Sequence, residues 1–310
     1  MKTSTSKRLR WNIAIWLAAG LFMTGASGMA SGPIMPDPKA EARHQPQVEE
    51  TANGIPLVNI TAPSSGGVSR NEYETFNVPD KGAILNNSYT LSKTELAGYV
   101  QGNNNMAERP AKIIVNEVTG AGSTSMDGFL EVAGNRADVV IANPNGITVN
   151  GGGFINTGKA FLTTGKPVYD GEDHLQRFDI TGGDILIEGK GLGGKETESL
   201  AILSRAVKIN AGIWAKDLHI TTGANTVDAK TLEASAIEGK GERPAFALDT
   251  AAIGGMYAGR ITLVGTEKGL GVNNSGTWSA EDNLILDWNG DLKTVSYTHL
   301  RAHETLMNLV

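Results

Sequence analysis

The chain of 310 residues contains no cysteine, which excludes a disulfide framework, a thiolate metal centre and a cysteine nucleophile. Aromatic residues are few, and long helical periodicity is scarce. No apolar run reaches the ~20 residues of a comfortable bilayer span. Excess positive charge is also missing. The chain has 27 basic and 33 acidic residues; without the two ends described next, 22 and 32 remain, a net of −10. Binding to nucleic acid is driven by Lys and Arg on phosphate, and no finger-like, RNP-like or helix-turn-helix pattern is present. No nucleic-acid partner is expected.

The N-terminus reads as a targeting segment. Lys2, Lys7, Arg8 and Arg10 form a positive region, and Trp11 to Met23 is almost uninterruptedly apolar. Gly28-Met29-Ala30 then places small residues at the −3 and −1 positions of a signal-peptidase cut. Residues 1–30 are expected to be a signal peptide cut after Ala30, with Gly28 or Ala26 as alternatives and an uncut anchor as the competing reading. Export gives the missing cysteines two readings. A chain that crosses a second membrane unfolded cannot be cross-linked on the way; equally, a large core needs no staples.

The C-terminus, "VSYTHLRAHET" from Val295, resembles the translation of a sequencing adapter. Residues 295–310 are therefore expected to be read-through, with the natural sequence continuing differently after Thr294. His299 and His303 stand four apart, a zinc-like spacing on a helix, but the motif lacks the Glu beside the first His. No metal and no cofactor are expected.

What is abundant is glycine, 39 residues, close to double the usual share of about 7%. Many short β-type runs end in Gly, Asn or Asp, among them "PLVNI", "GAILNN", "KIIVNEV", "ADVVIANPNG", "DILIEG" and "GRITLVG". Later runs recur about 10 or about 20–24 residues apart, the spacing of a parallel β-helix. A β-sandwich has strands every 8–12 residues and remains open on periodicity alone. Residues 31–54 are polar, with prolines at Pro33, Pro36, Pro38 and Pro46, and read as a disordered lead-in. The folded domain is expected over 55–294.

Chemistry is sparse. Gly189 to Gly194 matches G-x-G-x-x-G after a strand-like run, and "KETESLAILSRAV" passes as a helix. No ribose-binding acid is placed, however, and a glycine-rich turn between coils accounts for the residues better. His44, His174 and His219 are isolated from any second ligand. Asp170, Glu172 and Asp173 read as a solvated loop. A glycosidase-like carboxylate pair is not demanded by any spacing.

The turn Asn143-Pro144-Asn145-Gly146 is more specific. Pro144 sets φ for position i+1 of a type I turn, Asn143 at position i bonds back to the backbone, and Gly146 suits i+3. Such a turn serves to reverse the chain, or else presents amides in a fixed array to a partner.

The region from about Val58 to Gly193 resembles the N-terminal secretion domain of two-partner secretion exoproteins, which include filamentous haemagglutinins and contact-dependent growth-inhibition effectors. The matching blocks are ordered: "PSSGGVSRNEYETFNV", "GAILNNS" with Asn86-Asn87-Ser88, "ELAGYVQGNNNMA", "AKIIVNEVTG", "GFLEVAGNRADVVIANPNGITVNGGGFINT" and "LTTGKP". The resemblance implies an all-β chain, a right-handed parallel β-helix with an N-terminal cap and small extra-helical strands. It implies a non-enzymatic targeting domain, read by a dedicated outer-membrane β-barrel transporter of the TpsB type. It also implies a secreted or cell-surface exoprotein, whose remaining part meets host cells or neighbouring bacteria. The residues it marks for recognition or turn structure are Asn86, Asn87, Ser88, Asn103, Asn104, Asn105, Met106, Asn143, Pro144, Asn145, Gly146 and Ile147.

Two departures stand out. Relatives have Asn-Pro-Asn-Leu where this chain has Asn103 to Met106, and losing proline leaves that turn less preorganised. Many growth-inhibition relatives carry a Cys-x-x-Cys pair where this chain has Val149 and Gly152, which leans towards an adhesin-like subgroup. The rival function is a secreted β-helical carbohydrate-active enzyme, such as a polysaccharide lyase.

Overall fold

The computed structural model describes residues 32–106 and 109–294. The signal segment with Ala30, and the tail with His299 and His303, lie outside the described residues. Among the described residues the only helical element is one 3-10 turn, Ala42–His44.

The segment after the asparagine turn shows how a coil is made. Ile147–Val149, Gly152–Ile155 and Thr157–Thr163 are three strands in 17 residues, separated by corners at Asn150-Gly151 and Asn156. Gly151 and Asn156 have φ of 97° and 53°, so each corner falls where a residue tolerates the left-handed region. Each strand pairs in parallel with its counterparts one coil away. Stacking turns the sequence pattern into columns. On one face Thr124, Ile147, Ile185, Val207, Leu248, Val272 and Leu292 occupy successive rungs. All but the last rung are buried. A single coil buries little, so this shared column is what drives stacking.

The expected right-handed parallel β-helix with extra-helical strands is the fold found. Most of the runs read as strands are strands. The two wider spacings, from Ile147 to Ile185 and from Val207 to Leu248, hold insertions. Lys166–Tyr169, Leu175–Ile180, Asn225–Asp228 and Ala234–Ala236 leave the helix and pair antiparallel as a four-stranded sheet. Phe178, Ile180 and Val227 from that sheet meet Val68, Val140 and Phe161 in a second apolar core outside the coils.

The disordered lead-in needs correction. Ile34–Pro36 pairs antiparallel with Val68–Phe76, and Gln47–Glu50 pairs antiparallel with Pro56–Asn59. Ile34 is buried in the main core. Polar composition misled because the segment is an edge. Pro36 ends a strand whose outer side needs no ladder donor, and antiparallel pairing closes both open edges of the first coil. The ordered domain therefore starts before Ile55.

Of the run read as a glycine-rich turn, Gly189 to Gly191 form a corner, whereas Leu192–Gly194 is a strand that pairs in parallel with Gly152-Gly153 and with Ile213 to Ala215. Gly191 has φ of 79°, and a Cβ there would collide with Gly212 O. The run "KETESLAILSRAV" is not helical; Ser199–Ser204 is a strand that pairs with Thr157–Thr163. Intercoil pairing overrode its local helical character.

Candidate functional site

The second turn is built as its sequence predicts. Gly146 N donates to Asn143 O at 3.1 Å, closing the turn, and Asn145 N donates to Asn143 Oδ1 at 2.9 Å. The amide of Asn143 then reaches another coil. Its Nδ2 donates to Gly122 O at 2.9 Å and to Thr124 Oγ1 at 3.0 Å. Asn145 Nδ2 donates to Gly120 O at 2.8 Å. The backbone is tied both ways as well: Thr124 N donates to Gly146 O and Asn143 N to Thr163 O. The turn is a brace across three successive coils.

The first motif makes the same brace without its proline. Met106 N donates to Asn103 O at 3.1 Å, and Asn105 N to Asn103 Oδ1 at 3.0 Å. Asn103 Nδ2 donates to Ile60 O at 2.9 Å and to Asn86 O at 3.0 Å, and Asn105 Nδ2 also donates to Ile60 O. Asn86, Asn87 and Ser88 join this turn. Asn103 N donates to Ser88 O at 2.7 Å. Asn86 Nδ2 donates to Asn59 Oδ1 at 2.8 Å, and Asn87 donates to Ala111 O and accepts from Ala111 N. No hydrogen bond joins the two turns to each other among the described residues.

Burial settles which of these groups face outwards. Asn86, Asn87, Ser88, Asn103, Met106, Asn143, Gly146 and Ile147 are buried. Asn104, Pro144 and Asn145 are exposed and Asn105 is intermediate. The picture of an exposed amide array is therefore corrected: the amides of Asn103 and Asn143 are spent inside, on the carbonyls of Ile60, Asn86 and Gly122 and the hydroxyl of Thr124. Only the tips of the turns are open.

Two features escaped the sequence reading. Beside the first turn, the hairpin Ser92–Thr94 and Gly98–Val100 presents Leu91 and Tyr99 at 57% and 70% exposure, with Tyr89 also exposed. Alternation in "YTLSK" was the available signal. Second, His44 is not isolated. Its Nδ1 lies 3.0 Å from Glu72 Oε1, and Arg70 Nη2 lies 2.9 Å from the same oxygen and 3.3 Å from Glu117 Oε2. Burial, with the Arg70 charge, pushes the His44 pKa down; burial pushes Glu117 up. His174 Nδ1 meets Asp170 Oδ2 at 2.9 Å in an exposed loop, and His219 meets Thr221. No cluster of three or more metal-ligating side chains occurs among the described residues.

A family profile described as the TPS secretion domain matches residues 33–294. The chain belongs to the TPS secretion domain family. The TPS domain is 47% identical to Toxin CdiA of Yersinia pestis over 259 residues, which is 83% of this chain and 8% of that protein. It is 47% identical to the 16S rRNA endonuclease CdiA of Enterobacter cloacae over 249 residues, 79% of this chain and again 8% of the relative. The solved filamentous hemagglutinin secretion domain superposes with a TM-score of 0.76 at 31% identity, covering 86% of this chain and 97% of that one.

The chain thus spans under a tenth of its CdiA relatives. Their toxin and nuclease names describe those whole proteins, whereas the TPS domain is a targeting domain of exoproteins like CdiA and filamentous haemagglutinin. The matches give no support to a polysaccharide lyase. The lean towards adhesins also loses its basis. The TPS domain lacks the Cys-x-x-Cys pair, yet shares 47% identity with a protein named as a toxin. At those positions Val149 is buried, and a Cβ on Gly152 would stand 2.6 Å from Met126 Cγ.

Proposed function

We propose that this TPS domain leads a CdiA-like exoprotein out of a diderm bacterium. Residues 1–30 direct export and are cut after Ala30. The domain then binds the periplasmic modules of a dedicated TpsB-type outer-membrane transporter. Residues beyond the domain, in the full-length exoprotein, meet host or neighbouring cells. The sequence from Val295 onward is adapter read-through in this reading.

One observation carries the recognition part. Two turns, in different coils, keep the same internal brace while their tips face solvent at Asn104 and at Pro144-Asn145. The buried asparagines Asn86, Asn87, Asn103 and Asn143 hold these tips in place, and the tips are what a transporter meets. Growth of a β-helix outside the cell supports forward export, since each coil offers a parallel edge to the next.

The test is co-expression with a cognate transporter, scoring the domain in the medium. Pro144→Ala with Asn145→Ser is expected to cut secretion more than its loss of thermal stability explains. Secretion equal to wild type in that double variant would overturn the tips as the reading surface. Asn143→Ala is expected to lower stability and secretion together.

A further inference from the structure

The outer sheet does more than cover apolar strands. Its first hairpin, Lys166–Tyr169 with Leu175–Ile180, reaches back to the N-terminal cap. Arg43 Nη1 lies 2.9 Å from Asp173 Oδ2, across 130 residues of sequence. Ser64 Oγ donates to Asp173 O at 3.3 Å. Gly66 packs against the ring of His174 so closely that any Cβ there would collide with it.

At the centre the Arg70 guanidinium sits 4.5 Å from the centroid of the Tyr169 ring. The same guanidinium meets Glu72, which holds His44 of the cap, and Glu117 of the next coil. One half-buried side chain therefore ties together the cap, two coils and the hairpin. Closure also strands polar atoms. Arg70 Nε and Tyr169 Oη are buried without a hydrogen-bond partner, and Glu117 Oε2 has only the 3.3 Å ion pair to Arg70. Desolvating them costs free energy that an open hairpin, with water in their place, does not incur. The contact is poised, with gains from stacking and apolar burial opposed by these atoms.

We infer that the Lys166–Ile180 hairpin is a clasp on the N-terminal cap. Strand pairing places Ile34–Pro36, the His44–Glu72 contact places the Ala42–His44 turn, and docking of the hairpin locks both. The segment from Ile34 to Ile180 then closes as one cooperative unit, whereas the coils from Asp184 onward add in succession. For export, the first coils stay openable until the chain as far as Ile180 has arrived. That consequence rests on the transporter reading above; the clasp does not.

Amide hydrogen exchange on the purified chain tests the clasp without any transporter. Tyr169→Ala is expected to speed exchange at Asp37, His44 and Asn77, whose amides bond within the cap or to it. The expected change is roughly two- to tenfold, the range of a partly buried cation–π contact. Val207 and Thr277, in distant coils, keep their wild-type rates. Unchanged cap exchange overturns the clasp, and so does equal acceleration in the cap and the distant coils. Asp173→Asn, which removes the charge of the Arg43 ion pair and keeps a residue that tolerates the φ of 57° at this position, is the second variant. It must shift the same cap amides in the same direction, by less, and decides the matter if Tyr169→Ala does not fold.

Discussion

Asn103 and Asn143 hold equivalent places in two turns. Each accepts the amide N–H of the residue two further on, at 3.0 and 2.9 Å. Each donates its side-chain amide to a backbone carbonyl outside its own turn, Ile60 O at 2.9 Å and Gly122 O at 2.9 Å. The two sites differ in the next residue, Asn104 against Pro144. An asparagine at the first position thus sets the turn whether or not proline follows. The proline contributes by restricting the unfolded chain.

That division of labour is testable by exchange of the two residues. Asn104→Pro is expected to stabilise the domain by about 0.4–1 kcal/mol, and Pro144→Ala to destabilise it by a similar amount. Urea denaturation midpoints with unchanged slopes are the readout. Strong destabilisation by Asn104→Pro would show that the first turn is not the geometric twin of the second.

Truncation at the brace itself costs more. Asn143→Ala leaves Thr124 Oγ1 and the Asn145 N–H without this partner and Gly122 O with only a 3.4 Å bond from Asn145 Nδ2. At about 1–3 kcal/mol for each buried group left unsatisfied, with partial rescue by water, a loss of about 2–4 kcal/mol is expected. Asn145→Ala, at an exposed tip, should cost under about 1 kcal/mol. Thermal melts of the two variants give the comparison.

Gly183 supports the second turn from the next coil. Its φ is 78°, and a Cβ there would stand 2.7 Å from Pro144 O and 2.9 Å from Thr164 Cβ. Gly183→Ala is therefore expected to destabilise by more than about 1 kcal/mol, through both strain and contact. Gly171, with no atom near a new Cβ and φ outside the left-handed region, is the control, and its alanine variant should melt like wild type.

The acid limb of stability has an identifiable contributor in Glu267. Its Oε1 and Oε2 each lie 3.0 Å from the Arg205 guanidinium, and Oε2 also accepts from Ala224 N. The hydrogen bond from Arg205 holds the Glu267 carboxyl below the usual glutamate range. A lowered folded-state pKa means that the unfolded chain takes up the proton first as pH falls. The stabilisation is complete above the ordinary glutamate pKa and is lost as pH falls through the lowered folded value. Glu267→Gln is expected to flatten the stability–pH curve over that window, with little change in its shape near neutrality. An unchanged acid limb would remove Glu267 from the account.

Much of the architecture was readable. The short Ile-, Val- and Leu-rich strands and their Gly and Asn corners follow from side-chain periodicity and from where left-handed φ is tolerated, whereas the extra-helical strands were implied only by the family resemblance. The type I geometry at Asn143 to Gly146 was readable too, because it is local. The lead-in was misread for the opposite reason. Nothing in "GPIMPDPKAEARH" shows that Val68–Phe76 waits for an edge strand, since the partner lies about 40 residues away.

The sequence by itself determined the short strands and the turns and, through ordered blocks of resemblance, the family and its stacking fold. Only the tertiary structure decided that the amides of Asn86, Asn103 and Asn143 point inward, because that depends on which acceptors a neighbouring coil brings within reach. It likewise decided that Arg70 meets Tyr169, a contact between a coil and an insertion for which the chain carries no local signal. Periodicity records which side of a strand is apolar; it does not record which distant strand comes to lie beside it.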